Sequence, residues 1–157
     1  MDSIQKMSIE FGCEPANESF ARVAVAAYAA RLNPTVEEIS DIKTAVSEAV
    51  TNSIIHGYYG NEDGRITVEC EIKGDKLMVS VTDRGVGIED IKRAMEPMYT
   101  TRPELERSGM GFVFMEAFMD EVTVESTAGE GTTVKMSKRI TSEEEINDDL
   151  SMAVGYN

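Results

Sequence analysis

The sequence has too few cysteines and histidines to build a disulfide framework or a zinc site. Its 157 residues include two cysteines, Cys13 and Cys70, and a single histidine, His56. No C-x-x-C spacing is present, and a structural zinc site needs several Cys or His ligands. Cys70 alternates with apolar residues in a strand-like run, so we interpret it as a small core residue. Cysteine and histidine chemistry therefore gives no indication of the function.

Basic side chains are also scarce. There are 15 Lys and Arg against 29 Asp and Glu, which gives a formal net charge of −14 and a pI of about 4.4. Nucleic acids and anionic membranes are bound by clustered Lys and Arg, so this balance argues against both partners. The N-terminus lacks the apolar stretch of a signal peptide, and no run is long enough to span a bilayer. We therefore expect a cytoplasmic, reduced protein.

The chain has an ordinary globular composition, 41% apolar and 28% charged, with no internal repeat and no Pro/Gly-rich linker. This composition predicts one domain over residues 1–140. The remaining segment, residues 141–157, contains acidic side chains and no basic one. We predict that it is a poorly ordered acidic tail.

The first third of the chain predicts a strand and two helices. Residues 4–11 alternate as in a strand, and apolar residues at helical spacing then predict a helix that ends at Asn33. A second helix begins with a capping box, in which Thr35 is the N-cap and Glu38 occupies the third helical position. Gly57 is its predicted C-terminal stop.

The rest of the chain changes to a period of two, interrupted by one polar loop and one helix. Gly74 and Asp75 predict a two-residue hairpin turn between the first two of these strands. Strands are predicted over residues 65–72, 77–81, 121–126 and 132–139. The polar loop covers residues 83–108, and the helix covers residues 109–119. This order predicts an α+β fold, a two-layer sandwich in which a mixed, mostly antiparallel sheet is covered on one face by three helices.

Two G-x-G elements are the first candidates for ligand binding. The P-loop pattern is absent, and neither residues 85–87 nor residues 109–111 have the third glycine of a dinucleotide fingerprint. Each element alone is more typical of a turn. The second one opens a predicted helix, however, and free N–H groups at a helix start suit a polyphosphate, with Arg107 adding positive charge.

Three polar side chains complete the candidate site. Glu48 and Asn52 are one helical turn apart, on a face that differs from the apolar one. A carboxylate there can take a proton and an amide oxygen can bind a hard cation, although on spacing alone a solvated helix face is the commoner explanation. Asp83 lies where a predicted strand becomes a glycine turn, and its carboxylate can accept hydrogen bonds from an exocyclic amine.

Together these segments resemble the ATP-binding family shared by sensor histidine kinases, the gyrase B subunit, Hsp90 chaperones and the MutL repair proteins. Its N box is similar to residues 48–52, its first glycine box to residues 83–87 and its second to residues 109–111. The three boxes occur in the same order with compatible spacing. The resemblance implies a Bergerat-type ATP-binding fold.

Longer runs, over residues 17–22, 46–58 and 100–112, resemble one branch of that family, the anti-sigma F factors of spore-forming bacteria. The resemblance extends over roughly residues 3–140. It implies a homodimer that inhibits a sporulation sigma factor and that uses ATP and Mg²⁺ to phosphorylate a serine of an anti-anti-sigma factor. Arg22 matches an arginine that contacts both protein partners. Without the resemblance, it would be interpreted as a solvated charge.

The resemblance also implies a role for each motif residue. Glu48 would accept the proton of the substrate serine, Asn52 would coordinate Mg²⁺, and Asp83 would recognise the adenine amine. Arg107 would be catalytic at the terminal phosphate, within an ATP lid formed by residues 96–108. The other nucleotide-binding residues that it implies are Gly85, Gly87, Thr100, Thr101, Ser108, Gly109, Met110, Gly111 and Thr132.

The sequence leaves three functions open. The first is an anti-sigma factor that is also a protein serine kinase. The second is a binding module whose grip on a partner is gated by ATP without phosphoryl transfer, and the intact Glu48 argues against it. The third is an ATPase or a histidine-kinase fragment, which the short chain and the lack of a preceding phosphoacceptor helix disfavour. We interpret His56, at a predicted helix end, as structural.

Overall fold

A five-stranded sheet forms one layer of the computed structural model, which describes residues 4–59, 63–96 and 111–141. The strands lie in the order β1-β2-β3-β5-β4, and each neighbouring pair is antiparallel. The predicted α+β sandwich is confirmed, although within these ranges the sheet is antiparallel throughout rather than mixed. The strands are β1 (Gln5–Gly12), β2 (Arg65–Lys73), β3 (Lys76–Asp83), β4 (Glu121–Thr127) and β5 (Gly131–Arg139).

Helices cover one face of this sheet. The first two agree with the sequence patterns, but α2 continues into a π-helical turn, Ser53–Gly57. The short α3 was not predicted, because it is a single turn inside a polar loop, capped by Asp90 through a 3.1 Å hydrogen bond from Arg93 N to Oδ1. The helices described are α1 (Asn17–Ala29), α2 (Val36–Asn52), α3 (Ile91–Ala94) and α4 (Gly111–Phe118).

The capping box predicted at the start of α2 is formed. Glu38 N donates to Thr35 Oγ1 at 3.1 Å, and Thr35 N donates to Glu38 Oε1 at 3.0 Å. The other oxygen, Glu38 Oε2, accepts a 2.9 Å hydrogen bond from Thr141 N. One glutamate therefore starts the helix and also holds the chain where it leaves the sheet. The predicted tail lies outside the described residues beyond this point.

The core lies between the helices and the inner face of the sheet. The central side chains come from α2 and from alternate positions of β2 and β3. Cys70 is among them, 2% exposed, as predicted, and burial raises the pKa of its thiol to about 12. No helix in the part of the chain that the structure describes is long and apolar enough to cross a membrane. The buried residues of α2, β2 and β3 include Ile42, Val46, Val50, Ile66, Val68, Ile72, Leu77, Val79 and Val81.

The strand register sets the position of the polar groups at one end of the sheet. β3 ends at Asp83, whose neighbour on β5 is Thr132. The end of α2 lies over the same edge, because the π-helical turn contacts both β3 and β5. Segments far apart in the sequence therefore meet at one edge of the sandwich.

Candidate functional site

A cavity of about 400 Å³ lies at that edge, between the end of α2, the turn after β3 and the start of α4. Pockets that bind small molecules typically have volumes of about 300–1,000 Å³. Its wall includes apolar groups and several polar ones. The predicted site residues that line it are Asn52, Asp83, Gly87, Gly111 and Thr132.

Asp83 is the buried acid of this cavity, with 4% of its surface exposed. Its Oδ1 accepts a 3.0 Å hydrogen bond from Gly85 N, and its carboxyl group also accepts from the Ser53 side chain and from the Thr132 backbone. Burial raises the pKa of Asp83 above its usual range, and the three hydrogen bonds oppose that rise without cancelling it. A carboxylate held in this way can accept from a hydrogen-bond donor of a ligand.

Two glycines allow the backbone to approach Asp83 closely. A Cβ on Gly57 would lie 2.9 Å from both carboxyl oxygens of Asp83, and a Cβ on Gly85 would lie 1.9 Å from the carbonyl oxygen of Gly57. No side chain fits at position 85 unless the backbone moves. Gly57 was predicted only as a helix stop, and its contact with Asp83 depends on the tertiary fold.

The backbone of Val86 connects three segments of the site. Its N–H donates to Gly57 O at 2.8 Å, and its carbonyl oxygen accepts from Gly129 N at 2.7 Å. Gly87 follows with a φ of +74°, and a Cβ there would lie 2.2 Å from Thr127 O. The glycine turn is therefore fixed between the end of α2 and the β4–β5 hairpin.

Glu48 and Asn52 both point at the start of α4, on the shared face that their spacing predicts. A Cβ on Gly111 would lie 3.1 Å from Asn52 Nδ2 and 3.3 Å from Glu48 Oε2. Both side chains are half-buried. A proton acceptor and an amide oxygen therefore stand side by side next to a helix N-terminus, where backbone N–H groups attract anions.

Several polar residues of the cavity wall were not predicted as site residues, among them His56 and Arg93. His56 was interpreted as structural, yet it lines the cavity one turn after Asn52. The i,i+4 spacing is the signal that would have identified it. Arg93 lies on α3, whose four residues show no helical pattern. The apolar part of the wall includes Ala49, Val86, Ile88, Phe112 and Val134.

Arg22 lies apart from this cavity, on α1. Its side chain is 42% exposed, and its Nη1 is 3.3 Å from Glu18 Oε1. Phe20 and Val23 of the same helix are more than half exposed. The remaining predicted residues fall outside the described part of the chain: Thr100, Thr101, Arg107, Ser108, Gly109 and Met110.

A metal ion would find few protein ligands here. Among the residues that the structure describes, no group of three or more His, Cys, Asp or Glu side chains could hold one. A hard cation at the Asn52 amide would therefore depend on oxygens of a bound ligand and on water, as Mg²⁺ does in phosphate sites.

Comparison with protein families and curated sequences agrees with the motifs. Residues 11–138 match the family model described as the histidine kinase-like ATPase domain. A relative from Clostridium beijerinckii, named anti-sigma F factor, is 58% identical over 137 residues, which cover 87% of this chain and 96% of that protein. One of the same name from Thermoanaerobacter pseudethanolicus is 57% identical over 143 residues, 91% of this chain and 99% of that protein.

Solved structures share the fold at lower identity. The RsbU and RsbW domains of Rv1364c from Mycobacterium tuberculosis align with a TM-score of 0.61 and 23% identity, over 87% of this chain and 32% of that one. The catalytic domain of the histidine kinase ThkA aligns with a TM-score of 0.53 and 18% identity, over 87% of this chain and 99% of that one.

Proposed function

This chain belongs to the histidine kinase-like ATPase domain family, and from that premise we propose that it is an ATP-binding anti-sigma factor and a protein serine kinase. One observation carries the proposal: Asp83, Asn52 and Gly111 line a single cavity, with Glu48 beside them. The chain is also 57% to 60% identical to relatives named anti-sigma F factor. Its substrate would be a serine of an anti-anti-sigma factor, and its inhibited partner a sporulation sigma factor.

The adenine ring would occupy the Asp83 end of the cavity. The ionised carboxylate accepts from the exocyclic amine, and the hydrogen bonds from Gly85 and Ser53 fix its orientation. Apolar side chains of the cavity wall, such as Ile88 and Phe112, suit the faces of a flat ring. Gly87 brings the backbone close to the ring.

The phosphates would lie toward the start of α4. Mg²⁺-bound ATP supplies a transferable phosphoryl group whose charge the ion partly neutralises. Asn52 is the side chain that would hold the ion, and the first N–H groups of α4, from Gly111 onward, would bind phosphate oxygens. We assign Arg107 to the terminal phosphate. Further phosphate or lid contacts are proposed for Thr100, Thr101, Ser108, Gly109 and Met110.

Glu48 is the base that the chain offers. Its Oε2 lies beside Gly111, on the same side of α2 as Asn52. A serine hydroxyl presented there would transfer its proton to Glu48 as the serine oxygen bonds to the γ-phosphorus of ATP and the bond from that phosphorus to the bridging oxygen breaks, releasing ADP. Because the transition state of phosphoryl transfer is loose, Arg107 and the metal would contribute at least as much as this base.

Incubation with labelled ATP, the sigma factor and the anti-anti-sigma factor tests the proposal. Phosphoserine on the anti-anti-sigma factor supports the kinase. Capture of the sigma factor that needs ATP but transfers no phosphate would instead support a nucleotide-gated binding module. Hydrolysis of ATP without phosphorylation of the anti-anti-sigma factor and without capture of the sigma factor would support a simple ATPase.

Protein partners would bind elsewhere on the surface. We propose a cytoplasmic homodimer that contacts the sigma factor and the anti-anti-sigma factor through a surface that includes Arg22. The net charge of −14 favours encounter with a basic, DNA-binding sigma factor and disfavours direct contact with nucleic acid. The exposed Phe20 and Val23 beside Arg22 would add apolar contact area.

Arg22→Ala should weaken binding of both protein partners by about thirtyfold, or ~2 kcal/mol, as for an interface hot spot. ATP affinity should stay unchanged, because Arg22 lies on α1 away from the cavity. Pull-down titrations and nucleotide binding on one preparation measure both. Lys135→Ala is the matched control, since Lys135 also forms an exposed ion pair, with Glu125 at 3.2 Å. Undiminished capture of the sigma factor by Arg22→Ala would contradict the assignment.

Adenosine affinity should fall as the pH is lowered, and the fall should begin at a higher pH than protonation of an ordinary aspartate would cause. Burial raises the pKa of Asp83, and the protonated carboxyl group is a poorer acceptor for the adenine amine. The free energy of unfolding should change with pH in the opposite direction to the adenosine affinity. The contribution of Asp83 to stability is fully present below its unfolded-state pKa and is lost as the pH rises through the folded-state pKa.

Adenosine is the ligand for this titration because it has no phosphate group whose own protonation would add to the signal. Calorimetry or a competition assay with a fluorescent nucleotide gives the affinity at each pH. The same acid-side fall in Asp83→Asn would show that another group titrates.

A further inference from the structure

Behind the cavity wall, the hydroxyl group of Ser126 makes three polar contacts. Ile88 N donates to Ser126 Oγ at 2.7 Å, and Ser126 Oγ donates to Gly131 O at 2.9 Å. Ser126 Oγ also lies 2.8 Å from Thr132 Oγ1. Ser126 is half-buried at the end of β4, and Thr132, in front of it, lines the cavity.

The direction of each hydrogen bond follows from the number of protons. A serine hydroxyl carries one proton, and a carbonyl oxygen can only accept. When all three contacts are hydrogen bonds, the proton of Ser126 goes to Gly131 O, and Thr132 donates its own proton to Ser126 Oγ. The Thr132 oxygen is then left with lone pairs alone for any group in the cavity.

Asp83 stands next to this oxygen, because Asp83 and Thr132 are register partners on β3 and β5. An ionised carboxylate is also an acceptor without a proton to donate. This wall of the cavity therefore presents two adjacent acceptors. It matches an amino group, or a water that the amino group holds, and it is unfavourable for a carbonyl oxygen, which would find no donor there.

We propose that Ser126 is a positioning residue that keeps the Thr132 hydroxyl an acceptor and thereby favours 6-aminopurine over 6-oxopurine nucleotides. The inference rests on the proposed function, since it takes the cavity to be a nucleotide site. Without Ser126, the Thr132 proton has lost its acceptor and can turn toward the cavity, where it would donate to a 6-oxo group.

The test compares the dissociation constants of ATP and ITP, which have identical phosphates and differ in the group at position 6 of the purine and in the proton that the 6-oxopurine carries at N1. In Ser126→Ala the preference for ATP should fall by about fivefold to tenfold, the size expected for one hydrogen bond. Ser126→Thr, which keeps the hydroxyl group, should restore it. A variant that merely loosens the fold would weaken the binding of ATP and ITP alike and leave the ratio of their dissociation constants unchanged.

Two further variants show whether Ser126 acts through Thr132. In a Thr132→Val background, Ser126→Ala should have no additional effect on the ratio. Thr133→Val is the matched control, because Thr133 shares a hydroxyl contact of 3.0 Å with Thr82 and, as the next residue along the strand, faces away from the cavity. It should leave the ratio at the wild-type value.

An unchanged ratio in Ser126→Ala, or the same fall with and without Thr132, would overturn the inference. These results would leave the proposed function intact if wild-type protein binds ATP. Failure of the wild-type protein to bind ATP would overturn the proposed function and this inference with it.

Discussion

Glu48→Gln should lower phosphorylation of the anti-anti-sigma factor by about two orders of magnitude or more, the usual contribution of a positioned general base. The amide keeps the size and polarity of the side chain, and it leaves Asn52 in place beside Gly111. What it removes is the capacity to take the serine proton. A positioned general base usually contributes ~10² to 10⁴ in rate. The loose transition state of phosphoryl transfer puts the expected loss near the lower end of that range.

Single-turnover phosphoryl transfer at saturating ATP measures this step without contributions from binding or product release. ATP affinity and sigma-factor capture should change by less than about tenfold, roughly 1.4 kcal/mol. Glu37→Gln is the control, because it makes the same substitution at an exposed position of the same helix. Full transfer in Glu48→Gln would remove Glu48 from the mechanism, and joint loss of ATP binding would show that its role is structural.

Asp83→Asn should weaken ATP binding by roughly a hundredfold, as expected when a buried charged acceptor is lost and a donor is left badly paired. An asparagine can present its NH₂ group where the carboxylate oxygen stood, and two donors would then face each other. Folding should be affected far less. Burial of the ionised carboxyl group is unfavourable, and the raised pKa of Asp83 records that cost.

Calorimetric ATP binding and urea unfolding on the same preparation separate the two effects. We expect the free energy of unfolding to stay within about 1 kcal/mol of wild type. Asp75→Asn, in the exposed turn between β2 and β3, controls for the change of net charge. Normal ATP affinity in Asp83→Asn would show that the adenine lies elsewhere.

Local patterns in the sequence predicted local structure well. The capping box at Thr35 and Glu38 involves residues three apart, and the β2–β3 turn involves neighbours, so each is determined by its own segment. The strand order, in contrast, does not follow from local patterns. β5 lies between β3 and β4, and only the packing of distant segments decides this. The turn of α3 was missed because four residues are too few to show a helical period.

The candidate site shows the same division. The residue types and their order predicted the motifs of the site, and the fold brings Asn52, Asp83 and Gly111 to one cavity. The approach of Gly85 to Gly57 could not be predicted, because it depends on how the end of α2 lies over the sheet. The contacts of Ser126 likewise have no spacing signal, since Ile88 is 38 positions away in the chain.

The two hydrogen bonds of the Val86 backbone have a practical consequence. Position 86 is anchored through its main chain on both sides, while its side chain lines the cavity and remains 48% exposed. A side chain can therefore be exchanged there without disturbing the backbone, provided that it is not proline, which has no N–H to donate. An environment-sensitive fluorophore on a cysteine at this position, in a protein whose Cys13 and Cys70 are both buried, would report occupancy of the cavity in real time.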